Sequence, residues 1–165
     1  MGPHTKRIQK NDGKKAEELT RQALLHLVKT ELFVFQRLYD TTSARGGIIP
    51  EQPSDFIGLF RGRGGLIEVK SSLTKHGLRD CVLREVFTTN QIKSARLWKR
   101  SGGFAICVYV CLANNWAEVW DMGVVANAYL SPPRQRQLPG VCFSYSPSDA
   151  PTLAKYIREA ICRGQ

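Results

Sequence analysis

The sequence predicts an α/β fold with a central mixed β-sheet flanked by helices, and three observations carry that expectation. Residues 104–112 are a near-continuous apolar run, the pattern of a central strand covered on both faces. Residues 55–60 and 66–71 are short strand-like stretches joined by Arg61-Gly62-Arg63-Gly64-Gly65, whose glycines suit a tight antiparallel hairpin. Near the N-terminus Ala16, Leu19, Ala23, Leu24, Leu27 and Val28 recur at helical spacing, and near the other end Ser148-Asp149-Ala150-Pro151 caps a helix extending toward Cys162.

Taken in order, residues 1–12 are polar and basic and form an expected flexible N-terminus, followed by a single domain over 13–165. The first helix starts at Gly13. Residues 32–38, with Phe33, Val34 and Phe35, read as a strand, and 39–54 as a polar loop with a Gly46-Gly47 pair and two prolines. After the hairpin comes a basic connection, 72–87. Thr88 or Thr89 then caps a helix running to about Arg100, which Ser101-Gly102-Gly103 stops. Residues 116–121 form a strand beyond an Asn114-Asn115 turn, and 131–139 are loop. The predicted order is α-β-β-β-α-β-β-α, without an internal repeat.

The chain has 165 residues, enough for one compact domain to bury a core without disulfides. Its 24 lysines and arginines against 14 acidic residues leave a net charge of +10, which favours a polyanionic partner and nucleic acid first; a basic surface kept for solubility is the alternative. The five cysteines, Cys81, Cys107, Cys111, Cys142 and Cys162, include no C-x-x-C pair and read as reduced thiols in a cytoplasmic protein. No apolar stretch is long enough to span a bilayer. Trp98, Trp116 and Trp120 read as core or interface anchors, and neither His26 nor His76 has the neighbours of a metal site.

Hydrolysis of a phosphodiester needs a cation on the phosphate, an activated water and neutralisation of the leaving oxygen. Asp55 opens one strand of the hairpin, while Glu68 and Lys70, two apart on the other, share a face. Two carboxylates at a strand edge suit Mg²⁺, with Mn²⁺ as a substitute, and the Val69 carbonyl adds a further oxygen. Lys70 would orient or deprotonate the attacking water, or stabilise charge in the transition state. An isolated E-x-K is commonly a surface ion pair; the apolar residues interleaved here and the aspartate across the glycine turn favour the catalytic reading.

Pro53-Ser54-Asp55 followed by Leu66-Ile67-Glu68-Val69-Lys70 resembles the PD-(D/E)xK nuclease superfamily, with a serine inserted between proline and aspartate. Within it, Asn11-Asp12-Gly13-Lys14-Lys15-Ala16-Glu17 is similar to the N-x-G-K-x-x-E opening of RecU-type Holliday junction resolvases. Ser54-Asp55-Phe56-Ile57-Gly58-Leu59-Phe60-Arg61-Gly62 is similar to their hairpin, Asn90-Gln91-Ile92 to their H-Q-I helix start, and Gly102-Gly103-Phe104-Ala105-Ile106-Cys107-Val108 to the strand that follows. The resemblance covers about residues 11–121. It implies a restriction-endonuclease-like core and a homodimeric, Mg²⁺-dependent enzyme that nicks two strands of a four-way DNA junction. It also implies Glu17, Asp55, Glu68 and Lys70 as site positions, with Glu17 joining Asp55 and Glu68 at the metal. Gln91, at a helix N-terminus, is placed to hydrogen-bond a water or phosphate near the metal. Two features depart from the family: residues 39–54 are short where it has a projecting stalk, and Asn90 stands where it has histidine.

On that short loop Arg45 is the cation expected to touch DNA near the crossover. Lys14, Arg61, Arg63, Lys75, Arg79, Lys93 and Arg96 are expected around one rim, gripping the phosphate backbone and reading shape in place of base sequence. Branched DNA is then the partner, with no membrane and no small-molecule substrate. Two rival readings remain open: another nuclease of the superfamily acting on duplex, flap or end substrates, and a non-catalytic DNA-binding protein.

Overall fold

Eight consecutive buried residues form the central strand β4, Phe104–Cys111, in the computed structural model, which describes residues 4–38, 52–132, 138, 143–145 and 149–163. Its neighbours are β3, Arg63–Ser72, and β5, Trp116–Asp121. Beyond β3 lie β2, Phe56–Phe60, and β1, Phe33–Arg37; beyond β5 lies β6, Phe143–Tyr145. The sheet order is β1-β2-β3-β4-β5-β6. Every pairing is antiparallel except β3 with β4, which is parallel. The sheet is thus mixed, as the sequence predicts.

A parallel step needs a crossover. Here it carries a 3-10 turn, Leu78–Asp80, a one-turn helix α2, Leu83–Val86, and α3, Thr89–Arg100. With α4, Met122–Leu130, these cover one face of the sheet, where Leu66, Ala105, Cys107 and Trp120 meet Leu83, Ile92, Ala95 and Val125. On the other face, α1, His4–Thr30, and α5, Ala150–Arg163, pack Leu24, Leu27, Leu153 and Ile157 against Phe56, Ile67, Ile106 and Val108. Side chains alternate along each strand, so Ile67 and Val69 belong to the α1/α5 face while Leu66, Glu68 and Lys70 belong to the α3 face. That partition decides which groups meet.

Several elements differ from the sequence reading. The first helix begins at His4, nine residues before Gly13, and runs through that glycine, around whose Cβ position there is open space. Helix α4 has no counterpart in the sequence reading. Its residues are apolar on nearly all sides, and five of its nine are buried, so they show no 3.6-residue stripe. Strand β6 is three residues long, too short for alternation to register. Among the tryptophans, Trp120 is buried and donates its indole N–H to Glu118 Oε2 at 2.7 Å, while Trp98 and Trp116 pack against the same core. Cys81, Cys107, Cys111 and Cys162 are free thiols. No helix among the described residues is long and apolar enough to cross a membrane. Residues 39–51 of the 39–54 loop, Arg45 among them, lie outside the described residues.

Candidate active site

The hairpin linking β2 to β3 turns at Arg61 and Gly62, both with positive φ, 48° and 83°. That is the requirement of the two-residue turn whose twist matches antiparallel strands. The tight turn sets a register of Phe56 opposite Ile67, and one more step places Asp55 beside Glu68 at the far end of the hairpin. There Asp55 Oδ2 accepts the Val69 N–H at 2.6 Å. Lys70 Nζ donates to Glu68 Oε1 at 2.7 Å and lies 5.7 Å from the centre of the Phe87 ring.

Helix α3 supplies the fourth member. Thr88 caps it, its Oγ1 accepting the Gln91 N–H at 3.2 Å, while Gln91 Oε1 accepts the Thr88 N–H at 3.0 Å. This reciprocal cap fixes the amide and turns Gln91 Nε2 toward Glu68 Oε1, to which it donates at 2.5 Å. The sequence reading expected Gln91 to face a water or phosphate; in the structure it holds the carboxylate itself. Asp55, Glu68, Lys70 and Gln91 therefore form one connected group.

Its electrostatics follow from burial. Glu68 is 3% exposed; desolvation, and then the neighbouring Asp55 carboxylate, push its pKa from 4.5 up to about 7 against the downward pull of Lys70. Asp55 is also raised, by burial, which outweighs the Val69 N–H, Lys70 and Arg37. For Lys70, burial alone would lower the pKa, but the charge and hydrogen bond of Glu68 overcome it and the value is raised. Two crowded carboxylates facing one ammonium are short of positive charge. Their hard oxygens match what Mg²⁺ accepts from a protein, one or two carboxylates with water completing the shell. The donor set fits a divalent cation.

Glu17 does not join this pair. It sits on α1, on the opposite face of the sheet, and is ion-paired with Arg37 at the end of β1. Among the described residues, no group of three or more His, Cys, Asp or Glu side chains is arranged to hold a metal ion. Arg37 is the residue that sequence reasoning missed. It lines a cleft of about 350 Å³ with Lys14, Glu17, Glu18, Arg21 and Phe56, and its charge reaches Asp55. The signal was present in Phe33-Val34-Phe35-Gln36-Arg37: alternate residues share a face, so a cation continues the row of Phe33 and Phe35 just where the strand leaves the core.

The basic residues do not share one rim. The five residues from Glu68 back to Arg63 along β3 separate the two by about 16 Å. Arg61 pairs with Glu31 at 2.7 Å and stacks over Phe60. Arg63 turns inward and donates to the carbonyls of Gly102, Gly103 and Ile161 at 3.2–3.3 Å. Both therefore stand at the end of the hairpin remote from Asp55. Helix α3 runs from Gln91, beside Glu68, toward the Arg63 end, so Lys93 lies nearer Glu68 than Arg96 does. Lys14, Lys75, Arg79 and Lys93 are exposed, and Arg96 is half-buried.

No protein-family model matches the sequence, and no curated protein matches it. Among solved structures the chain is similar to Hjc of Archaeoglobus fulgidus, a Holliday junction resolvase from an archaeal hyperthermophile. The identity is 14% and the TM-score 0.45, over 84% of this chain and 98% of that one. A likeness this distant assigns no residue and no activity.

Proposed function

We propose that this chain is a Mg²⁺-dependent endodeoxyribonuclease that resolves four-way (Holliday) junctions by paired nicking as a homodimer. The observation that supports the reading is the convergence of Asp55, Glu68, Lys70 and Gln91 at one end of the β2–β3 hairpin. A solvated ion pair does not bury its glutamate, share it with a helix cap and set a second carboxylate against it.

Asp55, Glu68 and the Val69 carbonyl would hold Mg²⁺, or Mn²⁺ in its place, which when bound polarises the phosphate and acidifies a water. Gln91 keeps Glu68 from rotating. Lys70, which approaches from the open side of Glu68, orients the attacking water or neutralises charge developing on the phosphate. Arg37 meets the phosphate on the α1 side, and Glu17 acts through Arg37 by fixing its guanidinium. Lys14, Lys75, Arg79, Lys93 and Arg96 bind backbone phosphates, and Arg45 contacts DNA near the crossover. None of these contacts carries a base code, which suits selection by shape. Two symmetric nicks on one junction require two active sites related by a two-fold axis.

The test is cleavage of an end-labelled four-way junction and a matched linear duplex, with Mg²⁺ or with EDTA, by wild type and Lys70→Ala. Paired nicks in the junction alone, dependent on metal and reduced at least about 100-fold in the variant, are expected. Equal cutting of both DNAs would keep the nuclease and discard junction selectivity; binding without cutting would leave a non-catalytic DNA-binding protein.

A further inference from the structure

Two polar atoms beneath the active centre are buried without a hydrogen-bond partner: Ser54 Oγ and Glu68 Oε2. Their residues are 6% and 3% exposed. Both residues line one cavity of about 10 Å³, walled otherwise by Pro53, Gln91 and apolar side chains including Leu66 and Met122. The Glu68 carboxylate is thus divided between two surroundings. Oε1 accepts from Lys70 and Gln91, and Oε2 has no hydrogen-bond partner of ordinary geometry.

Buried polar atoms in folded proteins are nearly always paired, with a protein group or with an ordered water. A water needs roughly 10–15 Å³ and two or more polar partners, and this cavity meets both conditions. The Ser54 hydroxyl lowers the Glu68 pKa as a hydrogen-bond donor does, yet no direct bond of ordinary geometry joins the two side chains. The apolar walls leave that hydroxyl few other acceptors.

We propose that the cavity holds one ordered water that donates to Glu68 Oε2 and accepts from the Ser54 hydroxyl, making Ser54 a positioning residue for the Glu68 carboxylate. With Gln91 fixing one oxygen and the bridged water the other, the carboxylate plane is set before any ligand arrives. The water itself is independent of the proposed function; its consequence for metal affinity rests on that reading.

The experiment uses the full chain and the isosteric pair Ser54→Thr and Ser54→Val, which have the same shape and differ in the hydroxyl. Mn²⁺ affinity is measured by calorimetry, folding by thermal denaturation, and the cavity by a high-resolution crystal structure of the wild type. Loss of an outer-shell partner typically weakens metal binding about 10- to 100-fold. That loss is expected for Ser54→Val, with Ser54→Thr staying within a few-fold of wild type and a water resolved between Ser54 and Glu68. If the added methyl prevents folding, Ser54→Ala, which adds no volume, is expected to show the same loss. A dry cavity, or equal affinity with and without the hydroxyl, overturns the proposal. If the wild type binds no Mn²⁺, the metal reading fails, and the crystal structure alone still decides whether the water is there.

Discussion

Glu68 carries opposed demands within a single side chain. Its burial and the adjacent Asp55 raise its pKa to about 7, so between its ordinary value of 4.5 and that point the folded protein holds a proton that the unfolded chain releases. Stability of the metal-free protein therefore falls as pH rises through this window, because the native state binds the extra proton. In EDTA, the thermal midpoint of the wild type is expected to drop between about pH 4.5 and about pH 7, and Glu68→Gln is expected to flatten that drop. Parallel profiles for the two proteins would sink the idea. Metal affinity should rise over the same window, since the cation competes with that proton. None of this was legible in Glu68-Val69-Lys70 as a motif: the spacing places the two charges on one face, but the shift comes from what packs over them.

At the scale of elements, the β2–β3 hairpin and α3 act as one unit with two ends. At the Asp55 end Gln91 ties the helix to Glu68; at the other Arg63 ties the strand to the α3–β4 turn and to α5 through three carbonyls. Arg63→Ala should therefore cost stability, on the order of 2 kcal/mol for hydrogen bonds to a charged donor, while junction affinity stays near wild type. Denaturant melts and binding titrations of the same variant check both halves, and a loss of affinity without a loss of stability would restore Arg63 to the DNA surface. A second element-scale expectation concerns Gly65, where an added Cβ would lie 2.3–2.4 Å from the Phe104 ring and carbonyl. Gly65→Ala should destabilise by about 1–3 kcal/mol or more, as overpacking does, through the parallel β3/β4 contact. The strands, the hairpin and the cap of α3 could be read from alternation, glycines and Thr88. Helix α4 could not, because a helix of nearly all apolar residues has no polar face to reveal its period.

For the whole molecule, the proposed DNA binding by a chain of net charge +10 should weaken with salt, with a slope set by the cations that touch phosphate. Each such contact contributes roughly 0.9 to the slope of log K against log salt on duplex DNA. Lys93→Ala and Lys75→Ala should each flatten the slope by about that amount, whereas Arg61→Ala, at the remote end of the hairpin and paired with Glu31, should leave it unchanged. Binding isotherms at several salt concentrations distinguish these. An equal effect from all three would return Arg61 to a common DNA-binding rim.

The sequence by itself determined the local order: an aspartate opening one strand, a glycine turn of the right length, a glutamate and lysine two apart on the next, and a threonine at the start of a helix. These are short-range consequences of strand period, turn geometry and helix ends. Tertiary structure alone decided the partners. Chain order cannot say which face of a sheet a helix will cover, and that choice put Glu17 with Arg37 on one side and Gln91 with Glu68 on the other. It also turned Arg63 inward and left Ser54 and Glu68 facing one small cavity, because burial and charge act between residues that only packing brings together.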